Sequence, residues 1–298
     1  MAAREKARRA TRERRCITAR DAATARRSDI AARRERGDTE DAQERAARYA
    51  ATSARHAARE RRRLVKETLA APWSDGGAAG LRVAIELGWE DTMNERERAS
   101  LSTQVTHAYG SVLRRCAEER LAPLRMALTG CARAADTLAR IDKAGGAEKW
   151  PVPRLEPSFA EALPAVCSPA EDGAARGTPV RIVVMSPDAE EPLREVAKDA
   201  VYVVGGLCDY KRSVQTTLNG ARASGVCARR LPLAETLGAS VPSVTILTVD
   251  QCVAALHLAH ANGGDWGAAL RAALPQRKLR AVEAPSAVSG AAADDKAA

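Results

Sequence analysis

Aromatic side chains are scarce in this chain: one Phe, four Tyr and four Trp among 298 residues. That leaves no platform on which unpaired bases would stack, so recognition of a nucleic acid by aromatic stacking is set aside. No run approaches the ~18 apolar residues that a membrane-crossing helix requires. The seven cysteines (16, 116, 131, 167, 208, 227 and 252) include no Cys-x-x-Cys pair and none is matched with a His. Their scatter argues against a metal site and against a disulfide framework, and their odd number suits a reducing compartment. No Gly-x-Gly-x-x-Gly follows an early strand, so the Rossmann-type fingerprint is missing as well. The first thirty residues are rich in Arg, like a transit peptide, but Glu5, Glu13, Asp21 and Asp29 break the acid-poor rule. The expected compartment is cytosol or nucleus, with an organelle as the lesser option.

What is present is unevenly distributed. The chain is 45% hydrophobic, mostly Ala, Val and Leu, enough for one large domain or two modest ones. Its net charge is +9, yet residues 1–70 hold 21 Lys/Arg against 11 Asp/Glu while the remainder holds 26 against 27, so the basicity belongs to the amino-terminal arm. That arm has too few large apolar side chains to build a core, although Ala and Arg favour helix. A solvent-exposed helix is expected over 40–69, and disorder over the first forty residues. The arm is either a solvated charged tail or a polyphosphate-binding segment, and a surplus of ten positive charges favours the second. APWSDGGAAG, residues 71–80, reads as a linker.

From residue 82 the pattern changes to buried strands separated by helices. RVAIEL (82–87) is the first strand; Asn94 and Glu97 then form a capping box for a helix whose buried stripe is Leu101, Val105, Ala108 and Val112. Gln104, His107, Ser111, Arg114 and Arg115 fall on its other faces. A short strand over 124–131 and a helix to about residue 143 precede the irregular Pro- and Gly-rich stretch 145–179, where Trp150 and Phe159 are packing residues. VRIVVMSPDA supplies a strand ending at Met185 and Ser186. A short helix follows over 213–223, with Gly225 just past its end, then a last strand over 245–249. A helix over 251–262 is stopped by Gly263 and Gly264, and Asp265 caps the final helix before Pro275. Strands joined by helical crossovers imply an α/β fold with a parallel sheet.

The chain is organised around VYVVGGLCDYKR, residues 201–212. Four apolar residues make a buried strand, and Gly205 and Gly206 break it, which would let a ligand lie against bare main chain at the carboxyl edge of the sheet. Asp209 then points into the crevice, with Lys211 and Arg212 at its rim; the alternative for Asp209 is a helix cap. Cys208 is a small apolar filler in preference to a nucleophile.

This stretch, followed by RRLPL (229–233), TILTVDQ (245–251) and DWGAALRAALPQRK (265–278), resembles in order and spacing the tRNA (guanine-9 N1)-methyltransferase family of the SPOUT class. The resemblance extends upstream to IELGWEDTMNERERASLSTQVTHAY (85–109) and to the strand ending at Met185, and covers residues 82–278. It implies a SPOUT-type parallel sheet with a C-terminal trefoil knot over 81–280, after the basic, helical or disordered arm and linker of 1–80 and before a disordered tail over 281–298. It implies S-adenosylmethionine held by three loops: Met185 with Gly205 and Gly206; Leu231, Pro232 and Leu233; and Leu247, Thr248 and Val249. It implies tRNA contacts from Gln104, Arg114, Arg115, Lys211, Arg212, Arg277 and Lys278, no metal, no membrane, and a monomer. Asp209 would accept the guanine N1 proton as a base or only a hydrogen bond from the base edge. Three positions depart from the family pattern: Glu86 for Asp, Trp89 for Phe, and Leu113 for Asn. The rival reading is a SPOUT-fold RNA-binding subunit of a tRNA-processing complex in which methyl transfer is incidental or lost.

Overall fold

Strands that read as continuous apolar runs, without polar alternation, must be covered on both faces, and a parallel sheet sandwiched by its own crossover helices does this. The computed structural model describes residues 20–25, 27–29, 31–32, 42–74, 80–167, 180–208, 215–238, 247–275 and 279. Its five strands are β1 (Leu81–Glu86), β2 (Leu124–Thr129), β3 (Arg181–Met185), β4 (Ala200–Gly205) and β5 (Cys227–Arg229). All neighbouring pairs are parallel, in the order β2-β1-β4-β3-β5. The helices are α1 (Ala42–Leu69), α2 (Glu95–Ala117), α3 (Ala135–Gly145), α4 (Phe159–Cys167), α5 (Thr216–Ala223), α6 (Leu233–Leu237), α7 (Val249–Ala261) and α8 (Trp266–Ala273).

Alternate strand residues serve two cores. Val83, Ile85, Met126, Leu128, Val183, Tyr202 and Val204 pack against Leu101, Val105 and Ala108 of α2 and Val253 and Leu256 of α7. Ala84, Ala127, Ile182, Val184, Val201 and Val203 pack against Phe159 and Leu163 of α4 and Ala221 of α5. The buried stripe read along α2 is therefore the stripe observed, and Phe159 is a packing residue as expected. Trp150 is one too, stacked on Tyr109 at 4.1 Å between ring centroids.

Helix ends follow local chemistry. Asn94 Oδ1 accepts from Arg96 N and Glu97 N, and Glu97 returns a bond to Asn94 N at 2.7 Å. Ala134 offers α3 no capping side chain, and the buried Glu90 supplies one from a distance, accepting from Asp136 N and Thr137 N at 3.1 and 2.6 Å. Asp265 caps α8 through Ala268 N at 3.0 Å. The expected strand over 245–249 is corrected at its end: Thr248 is extended, Val249 opens α7, and Gln251 Oε1 accepts from Thr248 N at 3.3 Å. T-V-D-Q is a Thr-x-x-Gln helix start, which outweighs the β preference of Thr and Val. Residues 245 and 246 lie outside the described residues.

The chain divides into two compact units, Met1–Ala57 and Ala58–Ala298. In the first, residues 20–25, 27–29 and 31–32 are helical where disorder was expected over the first forty, in line with their Ala/Arg content. In the second, the last turns of α1 are built into the fold: Leu69 and Trp73 are buried, Arg61 Nε donates to Ala117 O at 2.7 Å, and Arg62 pairs with Glu118 at 2.5 Å. Arg82 and Arg125, both buried, donate to the main-chain carbonyls of Trp73 and Pro72. The residues expected as a linker are clamped to the amino-terminal edge of the sheet as far as Trp73.

His257 of α7 is fully buried, with Nε2 2.7 Å from Ala122 O, and burial pushes its pKa down from 6.5 to about 4. The unfolded chain then binds this proton first, so stability falls as pH drops from about 6.5 towards 4. Between pH 7 and pH 5 the loss from this residue should be about 2 kcal/mol. Urea titrations at the two pH values should show that difference shrink by this amount in His257→Gln; an unchanged difference would mean that the imidazole is not held neutral by burial.

Candidate functional site

At the carboxyl edge of the sheet, register places Glu86 beside Thr129 on one side and Gly205 on the other, with Met185 beside Val204 and Arg229. The connection from β1 leads to β2 at one edge while that from β4 leads to β5 at the other, so the β1/β4 junction is where such folds open a crevice.

At that junction β4 approaches its neighbours closely. A Cβ on Gly206 would stand 2.5 Å from Glu86 O and 3.0 Å from Leu87 Cδ2, and Gly206 N donates to Glu86 O at 2.8 Å. A Cβ on Gly205 would stand 2.3 Å from Thr217 Cγ2. The approach of β4 to its own neighbours thus leaves no room for a side chain at either glycine. Below them the buried Glu86 carboxylate accepts from Gly88 N at 2.9 Å, Thr129 Oγ1 at 2.8 Å and Phe159 N at 2.7 Å. The acid that departs from the family pattern is thus saturated with internal donors and ties β1, β2 and the start of α4 together. On the neighbouring strand, Ser186 Oγ accepts from Thr217 Oγ1 at 2.9 Å and Asp188 N at 3.3 Å, and Asp188 in turn accepts from Gln215 N at 2.9 Å. Sequence patterning does not single out Ser186, Thr217 or Asp188; a Ser directly after a buried strand, two residues before Asp, is the available signal.

On the α2 side lie the other residues expected to hold a cofactor. Leu231, Pro232 and Leu233 form an inverse γ-turn, with Leu233 N donating to Leu231 O at 2.8 Å and Pro232 at φ −78°, ψ 53°. Arg230 N and O bond Glu191 O and Leu193 N, and the Arg230 guanidinium beside Glu235 holds that carboxyl down at about 2. Leu231, Leu233, Leu237, Met185 and Val249 belong to one apolar cluster, with Leu207, Cys208 and Leu247 packed on it half-buried. Five of the residues expected to hold a cofactor, from three separate stretches, thus pack in or on one core: Met185, Leu231, Leu233, Leu247 and Val249. Gln104 reaches into the same place. Its Oε1 accepts from Val249 N at 2.9 Å, and its Nε2 donates to Cys208 Sγ at 3.1 Å and Ser100 Oγ at 3.2 Å. Burial pushes the Cys208 thiol up, against the pull of the Ser100 and Gln104 hydrogen bonds, so it stays protonated and is no nucleophile.

The expected tRNA contacts separate. Arg114 and Arg115 lie ten residues or more along α2 from Gln104, about 15 Å at helical rise. Arg114 is exposed and pairs with Glu119. Arg115, expected as a tRNA contact, is buried, bonds Ser111 Oγ at 3.1 Å and has Glu119 at 3.6 Å. Packing at the last turn of α2, where Cys116 and Ala117 are also buried, takes it in. Asp209, Lys211, Arg212, Arg277 and Lys278 lie outside the described residues. Among the described residues no group of three His, Cys, Asp or Glu could hold a metal ion, and no helix is long and apolar enough to cross a membrane.

Residues 2–279 match the family described as tRNA (guanine(9)-N(1))-methyltransferase TRM10/TRM10A. The chain belongs to that family. Among curated relatives, a tRNA (guanine(9)-N1)-methyltransferase of Eremothecium gossypii is 27% identical over 201 residues, 67% of this chain and 60% of that protein. One of Candida glabrata is 27% identical over 218 residues, 70% and 66% respectively, and tRNA methyltransferase 10 homolog B of Danio rerio is 26% identical over 224, 73% and 65%. The chain thus spans less than two thirds of the length of these relatives. Two solved structures have the same fold: full-length spTrm10 in complex with SAH (TM-score 0.52, 22% identity, 65% of this chain and 95% of that one) and spTrm10(74) (TM-score 0.53, 22%, 65% and 94%). The parallel α/β sheet of this TRM10-family chain is therefore of the Trm10 SPOUT type.

Because the Cβ of any residue at 206 meets main chain, Gly206→Ala should act on the frame. Overpacking of this kind costs about 1–3 kcal/mol. The urea midpoint of the variant should fall accordingly; a midpoint equal to wild type would show that β4 can move away from Glu86 and that the glycine is there for something else.

Proposed function

We propose that this chain is an S-adenosylmethionine-dependent methyltransferase acting on N1 of the purine, guanine, at position 9 of tRNA. The observation that carries the reading is the family match over residues 2–279, on a parallel sheet whose core takes in Leu231, Leu233 and Val249 with Leu247 packed against it. These residues suit the cofactor: branched aliphatic side chains offer apolar cover for an adenine, and the nearest thiol, Cys208, is kept protonated, where a thiolate would itself be alkylated. When bound, S-adenosylmethionine supplies the methyl group as an electrophilic sulfonium, so the protein needs neither metal nor covalent intermediate. The C-terminal trefoil knot is part of the same proposal, since it is the SPOUT device that brings three such loops together.

Asp209, in the proposal, follows Cys208 into the site and meets the N1–H edge of guanine. A free Asp has a pKa of about 3.9, far below that of guanine N1, so proton removal is uphill unless burial raises it, and a cation such as Arg212 works the other way. Orientation of the base by hydrogen bonding is therefore as well supported as general-base catalysis. Mass spectrometry of nucleosides from tRNA incubated with the protein and S-adenosylmethionine should show 1-methylguanosine at position 9, and its absence would sink the assignment. In the same assay Asp209→Asn should lose 10²- to 10⁴-fold in single-turnover rate, with a rate that climbs with pH, if it is the base, and roughly tenfold with a parallel profile if it orients.

The basic residues 1–57 are proposed as a phosphate-gripping arm on the domain. Each phosphate that the arm neutralises steepens the fall of log K with log salt by about 0.7–0.9. Removing residues 1–57, which spares Leu69 and Trp73, should weaken tRNA binding at low salt and flatten that slope; an unchanged slope would leave the arm a solvated tail.

A further inference from the structure

We propose that Gln104 is a positioning residue that fastens the loop after β4 to the first turn of α7, holding two cofactor loops in one register, and that it does so in place of contacting tRNA. The inference rests on the reading of this site as the S-adenosylmethionine site.

Three elements far apart in sequence meet on this one amide. Val249 N–H fixes its orientation, because only the carbonyl oxygen can accept there, at 2.9 Å. The NH₂ group is thereby turned to Cys208 Sγ at 3.1 Å and Ser100 Oγ at 3.2 Å. Reversing the amide would set donor against donor at Val249 and leave the sulfur and hydroxyl without a donor. Both amide hydrogens and one oxygen lone pair are thus taken by protein partners, partly buried at Val249 and Cys208 and at the surface at Ser100, which is at odds with a side chain turned to RNA.

The anchoring has a direction. Gln104 stands between Leu101 and Val105, both buried, on a 23-residue helix with a complete capping box at its start and Arg61 on the Ala117 carbonyl near its end. Its partners are the residue before Asp209 and the first residue of α7. Val249 N–H is one of the amides that a helix start leaves without an intrahelical acceptor. Gln251 takes the preceding one, at Thr248, and Gln104 takes this one from across the site. A rigid helix thereby sets the spacing of two loops, and any ligand that must touch both Leu247–Val249 and the Cys208 loop depends on that spacing.

Gln104→Met keeps length and packing and removes every bond; Gln104→Glu keeps an acceptor for Val249 N–H. Calorimetry should find S-adenosylmethionine bound about tenfold more weakly by Q104M, the worth of one partly buried hydrogen bond, with tRNA affinity at fixed salt within twofold of wild type. Q104E should recover most of the cofactor affinity despite the nearby carboxylates of Glu97 and Asp250. Cofactor affinity of Q104M within twofold of wild type, loss of tRNA affinity with the cofactor spared, or a Q104E as impaired as Q104M would each overturn the proposal. Should Q104M not fold, Q104E alone decides, with near-native cofactor affinity supporting and a tenfold loss overturning. A wild-type protein that binds no S-adenosylmethionine would overturn the functional reading itself, and this inference with it.

Discussion

The close approach of β1 and β4 at their carboxyl ends is the constraint on which the rest of this structure depends. Gly206 N reaches Glu86 O at 2.8 Å through a gap that admits no side chain, and the Glu86 carboxylate turns back beneath it to collect three donors from β2, α4 and its own loop. A buried carboxylate without such donors would be strongly disfavoured, and each donor left alone would carry its own desolvation cost. Together they immobilise the points from which the connections after β1, β2 and β4 depart. A loop can present functional groups accurately only if its root does not move, and here the roots are fixed by main chain and one acid.

The two faces of the sheet consequently differ in character. On the α5 side the Thr217–Ser186–Asp188–Gln215 chain of hydrogen bonds closes the strand ends, and Thr217 sits against Gly205. On the α2 side the same strand ends give way to half-buried Leu207, Cys208 and Leu247 and to the Leu231–Leu233 turn. At Gly205 and Gly206 the frame closes without side chains, whereas Leu231, Pro232 and Leu233 are themselves buried.

Much of this is legible from residues. The stripe Leu101, Val105, Ala108 and Val112, the Asn94 box, the Asp265 cap and the parallel sheet follow from period and local hydrogen-bonding chemistry, which short stretches of sequence carry in full. What escapes a reading by residue depends on partners distant in the chain. Nothing near Gln104 reveals that its acceptor faces residue 249, nothing near Arg115 that packing takes it in, and nothing near Glu90 that it caps a helix starting at 135. The glycine pair is a case of the same kind: the pattern shows that a side chain is forbidden, and only the fold shows that Glu86 O and Thr217 Cγ2 stand where a Cβ would go. The T-V-D-Q start of α7 is a local signal, masked by the strand preference of its first two residues.

The clamp at the other edge of the sheet bears on where the folding unit begins. A chain cut immediately before β1 would keep all five strands, yet it would forfeit Leu69 and Trp73 from the two cores, the Arg61 bond to the end of α2, and the carbonyls that Arg82 and Arg125 use at Trp73 and Pro72. Both guanidiniums are buried, so trimming there would expose or strand charge in the floor of the sheet. The smallest self-sufficient piece therefore starts some two dozen residues upstream of its first strand, inside what composition alone marks as tail.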